Sequence, residues 1–402
     1  MIYQLSMYAS LVDCQTGPDL ESALYKAITT TLQKEAPDWS VAWGPVVVQF
    51  PTDHYAVNAM YVAQNQDTYV VGVAGTNPTS LFDWIVEDGF VSVQLPWIYD
   101  ELAGAKISLG TGIGLAILQN AAPGTGIPGT GTTLREFLSG IFPKKGMNLV
   151  VSGHSLGGAL APTLALWLHD TWLLWDPFRD VTLSTMPTAG PTAGNAAFAS
   201  YSDEKLSITR FANAIDVVPH AWQASDLTEI PTLYVPDIPS DDLVNDLVAF
   251  LGRISAAGDY TQLVDDTGWF PFDVDTSIIL PDDGFPAGLV NFVNFLIQLA
   301  YQHTTAYNTF FGVSSPTAQA WAAQFQEKAA AAAPALAAAV AAGAATQKTA
   351  PVAGRPTVIP PGSDPRSSEV AAQVLAELLK GATPEQQAAV AADAEGLIGS
   401  GT

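Results

Sequence analysis

The run from Asn148 to Asp170 constrains the fold of this 402-residue chain more than any other segment. Asn148-Leu149-Val150-Val151 is short, apolar and β-branched-rich, Ser152 follows, and Gly153-His154-Ser155-Leu156-Gly157-Gly158 leads into ALAPTLALWLHD, whose apolar spacing is helical. A strand that turns into a helix within so few residues crowds its own backbone. Glycines at 153 and 157 leave the room, because no Cβ projects there. A strand–turn–helix unit of this kind predicts an α/β architecture: a mostly parallel central sheet flanked by helices.

G-x-S-x-G alone is a common pattern and fits an ordinary glycine-rich turn. Its placement between strand and helix gives it the reading of a nucleophile elbow, with Ser155 lifted above the sheet edge. The helix begins just after Ser155, so its first N–H groups and its dipole face the place where a tetrahedral oxyanion would form; the Leu156 N–H is the first donor. His154 leaves the turn on the opposite side and reads as structural.

A serine hydroxyl needs a histidine to accept its proton and a carboxylate to orient that histidine. The chain has five histidines. In the α/β-hydrolase order of serine, acid and histidine, His54 and His154 come too early. His169 ends the elbow's helix, which carries it about 20 Å away at about 1.5 Å per residue. The segment 208–213 reads as a strand and 214–220 as the loop at its end, which places Asp216 as the acid. His220 shares that loop and reads as a residue that stabilises it, whereas His303 follows AGLVNFVNFLIQLAYQ and opens HTTAYNTFFG, a later segment able to fold back over the sheet edge. His303 is therefore the expected base.

Thr68 to Ala74 has a central-strand pattern and runs into Gly75-Thr76-Asn77-Pro78-Thr79. An early polar loop of this kind supplies the second oxyanion donor, and the Thr76 hydroxyl can add a further hydrogen bond. The alternative is a plain Asn-Pro turn.

Composition removes other classes. A formal charge of -24 repels phosphate backbones, so nucleic acid is not an expected partner, and the charge serves to keep a chain that is 48% hydrophobic in solution. Cys14 is the only cysteine, which excludes an internal disulfide and a thiolate metal cage. The opening MIYQLSMYASLVDCQ lacks the basic and apolar regions of a secretory leader, so location stays open. No apolar run reaches the length of about 20 residues that a spanning helix needs; Phe285 to Tyr301 is interrupted by Pro286, Asn291, Asn294 and Gln298.

Four zones are expected along the chain. Residues 1–315 form the catalytic domain, with an apolar insertion over 239–300 as a candidate cap. Residues 316–347 form an alanine-rich helical segment interrupted at Pro334, 348–366 a proline-rich linker, and 367–402 a small helical hairpin. The hairpin's stripe of Val370, Val374, Leu375, Leu378 and Leu379 needs a cover, in cis or from a partner.

Four blocks in order resemble the class 3 lipases, the family of the fungal triacylglycerol lipases: VVGVAGTNPTSLFDW, VVSGHSLGGALA, TAGPTAGNAAFA with ITRFANAIDVVPH, and HTTAYNTFFG. Position by position, the resemblance implies Ser155 as nucleophile, Asp216 as acid, His303 as base, and Thr76 with Leu156 at the oxyanion. Ala74 departs from the family's usual arginine, and the run 107–111 from its valine-histidine-x-glycine-phenylalanine run. The resemblance also implies a mobile lid, here over 89–104, whose Phe90, Leu95, Trp97 and Ile98 would contact an acyl chain; the same cluster reads equally as core.

The expected activity is carboxylic ester hydrolysis of the triacylglycerol lipase type, through a Ser-His-Asp triad and an acyl-enzyme, without metal or organic cofactor, on an ester or lipid substrate met at a transient lipid contact. A short-chain, feruloyl or polyester-cleaving esterase is the nearest alternative, and a catalytically silent binding protein the alternative of another class. Oligomeric state is left open.

Overall fold

A computed structural model describes residues 1–331 apart from 14, 50–55, 57, 76–90, 100–103, 142, 265–267, 282–289 and 329. Its centre is a six-stranded sheet in the order β1-β2-β3-β6-β7-β8. The strands are β1 (Ser40–Val48), β2 (Asn58–Asn65), β3 (Thr68–Val73), β6 (Asn148–His154), β7 (Thr182–Thr188) and β8 (Ser207–Ile208). The first two pairings are antiparallel and the three from β3 onward are parallel. Two small ribbons flank it: β4 (Gln94–Pro96) with β5 (Lys106–Ser108), and β9 (Ala212–Asn213) with β10 (Trp269–Phe270).

Alternation along the strands sorts side chains to the two faces. On β2 and β3, Met60, Val62, Val71 and Val73 enter one cluster together with α3 (Leu109–Asn120) and α5 (Leu156–Asp170). Ala59, Tyr61, Ala63 and Val70 enter another, with α1 (Ile2–Tyr8) and α2 (Leu20–Glu35). The elbow helix α5 is apolar around its whole circumference and is buried from Gly157 to Leu168, as a helix sandwiched between a sheet and other helices must be. Helix α4 (Leu134–Gly140) opens on a capping box between Thr133 and Glu136, and α6 (Ala196–Lys205) and α7 (Ala224–Leu227) follow the elbow helix.

The expected strand over 208–213 is broken in two. Thr209 and Phe211 still donate to Thr185 and Pro187 of β7, but Ala212 and Ala214 donate to Gly268 and Phe270 instead, because the chain leaves the sheet edge to pair with β10. That departure carries the following loop over the end of the sheet.

Much of the insertion over 239–300 is core. Helix α8 (Asp242–Ser255) buries Val244, Leu247 and Leu251, and α9 (Val290–His303) buries Phe292, Phe295, Leu296 and Leu299, in one cluster that also holds Tyr3, Trp321 and Phe325. After α9 come α10 (Thr305–Phe310) and a helix over 316–328. The last of these belongs to the packed unit, so the boundary expected at 315 falls inside it. The expected linker and hairpin lie outside the described residues.

One carboxylate clasps the two ends of this unit. Glu35, at the end of α2, accepts hydrogen bonds from Gln4 and Tyr8 of α1, from Thr317 at 2.8 Å, and from the Ser315 hydroxyl, which also caps the 316–328 helix through Ala318 N. Nearby, Tyr3 Oη donates to Asn308 Oδ1 at 3.1 Å.

Candidate active site

Strand β6 ends at His154, α5 starts at Leu156, and Ser155 alone makes the turn, at φ 61 and ψ -127. A serine in that conformation is strained by about 1–3 kcal/mol and persists only where its surroundings hold it. Here Ser155 N donates to Thr188 O at 3.1 Å, and the glycines allow a backbone approach that no side chain would survive. A Cβ on Gly153 would sit 2.2 Å from Gly157 O, and one on Gly157 would sit 2.4 Å from Val73 O. Gly158 N already donates to Ser155 O at 2.7 Å, whereas the Leu156 N–H, at the first position of α5, has no acceptor within the helix and so remains a donor for a ligand.

Asp216 and His303 reach this place from different elements. The acid loop is turned by Asn213, whose Oδ1 accepts from Ile215 N and whose backbone carbonyl accepts from Asp216 N. The Asn213 side-chain amide donates to both oxygens of Gln302, tying the acid loop to the residue before His303. His303 Nδ1 lies 2.8 Å from Asp216 Oδ2, and both residues are fully buried. Tyr307 Oη donates to the same oxygen at 3.0 Å, and Val218 N donates to Oδ1 at 3.1 Å. Burial, then the charge of Asp216, pushes the Tyr307 hydroxyl well above the ordinary tyrosine value, so it stays a donor.

With Nδ1 committed to Asp216, His303 has Nε2 left. Nε2 of His303 and Oγ of Ser155 are both buried, and neither has a hydrogen-bond partner among the described residues. Unpaired buried polar atoms are costly and cluster where a substrate or a proton in transit completes the bonding. His154 brings the two elements together: its Nε2 lies 2.7 Å from the backbone oxygen of His303 and its ring is 4.8 Å from the His303 ring.

Residues 70–225 match the family profile of lipase (class 3). The solved structure of M37 lipase is 31% identical to the chain, covers 77% of it and 92% of its own length, and superposes with a TM-score of 0.67. The chain belongs to the class 3 lipase family. As such it is a lipase-type ester hydrolase with an α/β-hydrolase fold. Lipases from Rhizomucor miehei and Rhizopus microsporus var. chinensis also match, each at 20% identity and a TM-score of 0.38, covering 56% of the chain and 62% and 70% of their own. No curated protein matches.

Within this lipase, the structure assembles Ser155, Leu156, Asp216 and His303 around one strand end. Thr76 and Phe90 lie outside the described residues. The preceding Gly75 is in place: its N–H donates to Ser10 Oγ at 3.2 Å, and a Cβ on it would lie 3.2 Å from that of Ser155. His220 is occupied elsewhere, with Nε2 on Ala214 O at 3.1 Å and its ring against Trp269. His169 sits at the far end of α5 beside Asp170.

Two expected acyl contacts need correcting. Leu95 and Trp97 are core residues: Leu95, on β4, packs against Gly112 of α3, and Trp97 donates through Nε1 to Asp170 and meets Phe198 edge-on. Asp170 terminates α5, so Trp97 is about 20 Å from the elbow, the length of that helix. Ile98 is half-buried in the turn that follows. The described part of 89–104 is thus a strand paired with β5 rather than a helical lid, because its apolar side chains have the main core to fill.

Four supporting residues were not expected from the sequence as parts of this site: Tyr307, Asn213, Gln302, and His154 as a link to His303. Among the described residues, no helix is long and apolar enough to cross a membrane.

Proposed function

We propose that the lipase works through Ser155 as nucleophile, His303 as general base and acid, and Asp216 as the orienting carboxylate. One observation supports this above the rest: the buried His303–Asp216 contact of 2.8 Å leaves Nε2 unpaired, the Oγ of the strained elbow serine is unpaired too, and the residue next to that serine, His154, lies 2.7 Å from the His303 backbone oxygen. As Oγ attacks the ester carbonyl, Nε2 takes its proton, and the oxyanion rests on the Leu156 N–H and on Thr76. His303 then hands the proton to the leaving alcohol. Water enters, gives its proton to the same Nε2, and attacks the acyl-enzyme; as the acid is released, Nε2 returns that proton to Ser155 Oγ. Asp216 keeps the imidazole in the tautomer with Nδ1 protonated and balances its charge.

The substrate proposed is a triacylglycerol-type neutral ester at an uncharged lipid surface, in keeping with the family and with a chain charge of -24, which disfavours anionic interfaces. A fluorophosphonate should label Ser155 stoichiometrically, and Ser155→Ala should lose labelling and ester turnover while keeping its thermal transition. Full activity in that variant would refute the assignment. Triglyceride emulsions run beside p-nitrophenyl esters of rising chain length test the substrate class.

A further inference from the structure

We propose that His154 is a positioning residue for the catalytic base, holding His303 by its backbone carbonyl while Asp216 holds it by its ring. The proposal rests on the assignment of Ser155 and His303 above.

His303 is the last residue of α9, and the final carbonyls of a helix have no intrahelical donor. The carbonyl of His303 finds its donor in His154 Nε2, at 2.7 Å and fully buried. A carbonyl can only accept, so Nε2 of His154 carries the proton and Nδ1 is an acceptor, 3.1 Å from the Thr188 hydroxyl, whose one proton it shares with Gly153 O at 3.2 Å. Both ring nitrogens are used and one tautomer is fixed.

The ring is also enclosed. Tyr3 of α1, Tyr307 of α10 and Trp321 of the 316–328 helix meet it edge-on at 5.9, 5.1 and 6.2 Å, and Phe325 lies 6.1 Å from the His303 ring on the same side. Three segments distant in sequence close one box around the pair, so neither ring can swing without displacing an aromatic neighbour. The bond joins the residue next to the nucleophile to the base itself, 149 positions away. It therefore sets the offset between Ser155 Oγ and His303 Nε2, the distance on which proton transfer depends.

Charge is consistent with this role. Burial, followed by the proximity of His303, holds His154 well below the ordinary histidine value, so the clamp stays neutral. A cation 4.8 Å from the imidazolium formed during the reaction would oppose it.

The substitutions that separate positioning from packing are His154→Phe, which keeps a ring in the box and loses the donor, and His154→Gln, which keeps an amide donor. In the wild-type protein, fluorophosphonate labelling of Ser155 first establishes the site itself. His154→Phe is then expected to lower kcat by about 10- to 100-fold with KM within about twofold, and to slow labelling in parallel, since misplacement on the scale of 1 Å costs about 10²-fold. His154→Gln is expected to regain most of that loss. A kcat in His154→Phe within threefold of wild type, a loss confined to KM, or a folded Gln variant no better than the Phe variant would overturn the proposal while leaving the labelled serine intact. Should His154→Phe fail to fold, Thr188→Val carries the test by freeing Nδ1: a severalfold fall in kcat at constant KM supports the clamp, and an unchanged kcat refutes it. Absence of labelling in the wild type would instead count against the assignment of Ser155.

Discussion

Replacing Tyr307 by phenylalanine removes one oxygen from the supports of Asp216 and leaves the ring. The ring contacts with His154 and Phe270, at 5.1 and 5.3 Å, survive, so the effect isolates the hydroxyl. That hydroxyl donates to Asp216 Oδ2 at 3.0 Å and accepts from Asn213 N at 2.8 Å, all three groups being buried. A hydrogen bond to a charged group contributes about 1.5–3 kcal/mol, and a buried N–H left without an acceptor costs about 1–3 kcal/mol. The two effects overlap through local relaxation, which puts the expected destabilisation at about 2–4 kcal/mol, large for a single oxygen atom. Urea unfolding followed by tryptophan fluorescence should show an earlier midpoint with an unchanged slope. Turnover of a soluble p-nitrophenyl ester at a temperature where the variant is folded should fall by less than about tenfold, because the His303–Asp216 contact does not pass through Tyr307. A loss of stability below about 0.5 kcal/mol would refute the reasoning, since it would mean that neither the carboxylate nor the Asn213 N–H depends on that hydroxyl.

Leu95→Ala should destabilise by about 2–5 kcal/mol through the cavity left against Gly112, with KM for long-chain esters unchanged; a raised KM in a stable protein would return Leu95 to the substrate site. Glu35→Gln should alter the acid side of the stability profile. Partial burial raises the Glu35 carboxyl, but hydrogen bonds from Ser315, Tyr8 and Thr317 outweigh it and hold it below the ordinary glutamate value. A carboxyl lowered by folding contributes stability above its unfolded value of about 4.3 and loses it as pH falls through the folded value, so Tm against pH should be flatter for Glu35→Gln across that window; parallel curves would contradict this.

The sequence made the elbow legible because its signal is local: strand, glycines, serine and helix are contiguous, and the steric demand at 153 and 157 is met by residues that no other chemistry requires. The reading of Asp216 and His303 as a pair came from chain order and helix length, which left few histidines standing, and their side chains meet at 2.8 Å. What stayed hidden is pairwise and distant. Nothing in GHSLGG announces that His154 donates to a carbonyl in a helix that ends at 303, and Tyr307 acquires its role only when the acid loop is carried over the sheet by the switch of 212–214 onto β10. Leu95 and Trp97 misled because an apolar side chain looks the same in a core as against an acyl chain, and only the tertiary neighbours decide. The alanine-rich stretch is helical over 316–328, as its composition predicts, but that composition conceals that Trp321 and Phe325 would close the box behind His303.

The Glu35 clasp and the Tyr3–Asn308 bond bear on the order in which this protein becomes an enzyme. They join the first helices to residues 308–317, contacts separated by 280 to 305 positions, so their formation waits for nearly the whole packed unit to be synthesised. A nascent chain halted at about residue 300 holds Ser155 at the end of a paired strand and lacks His303, and Tyr3 still awaits Asn308 and Phe311. Long-range closures of this kind are slow to form and expose apolar surface meanwhile. The contacts that seat the first helices and the segment that carries His303 therefore form together, late in the assembly of the packed unit.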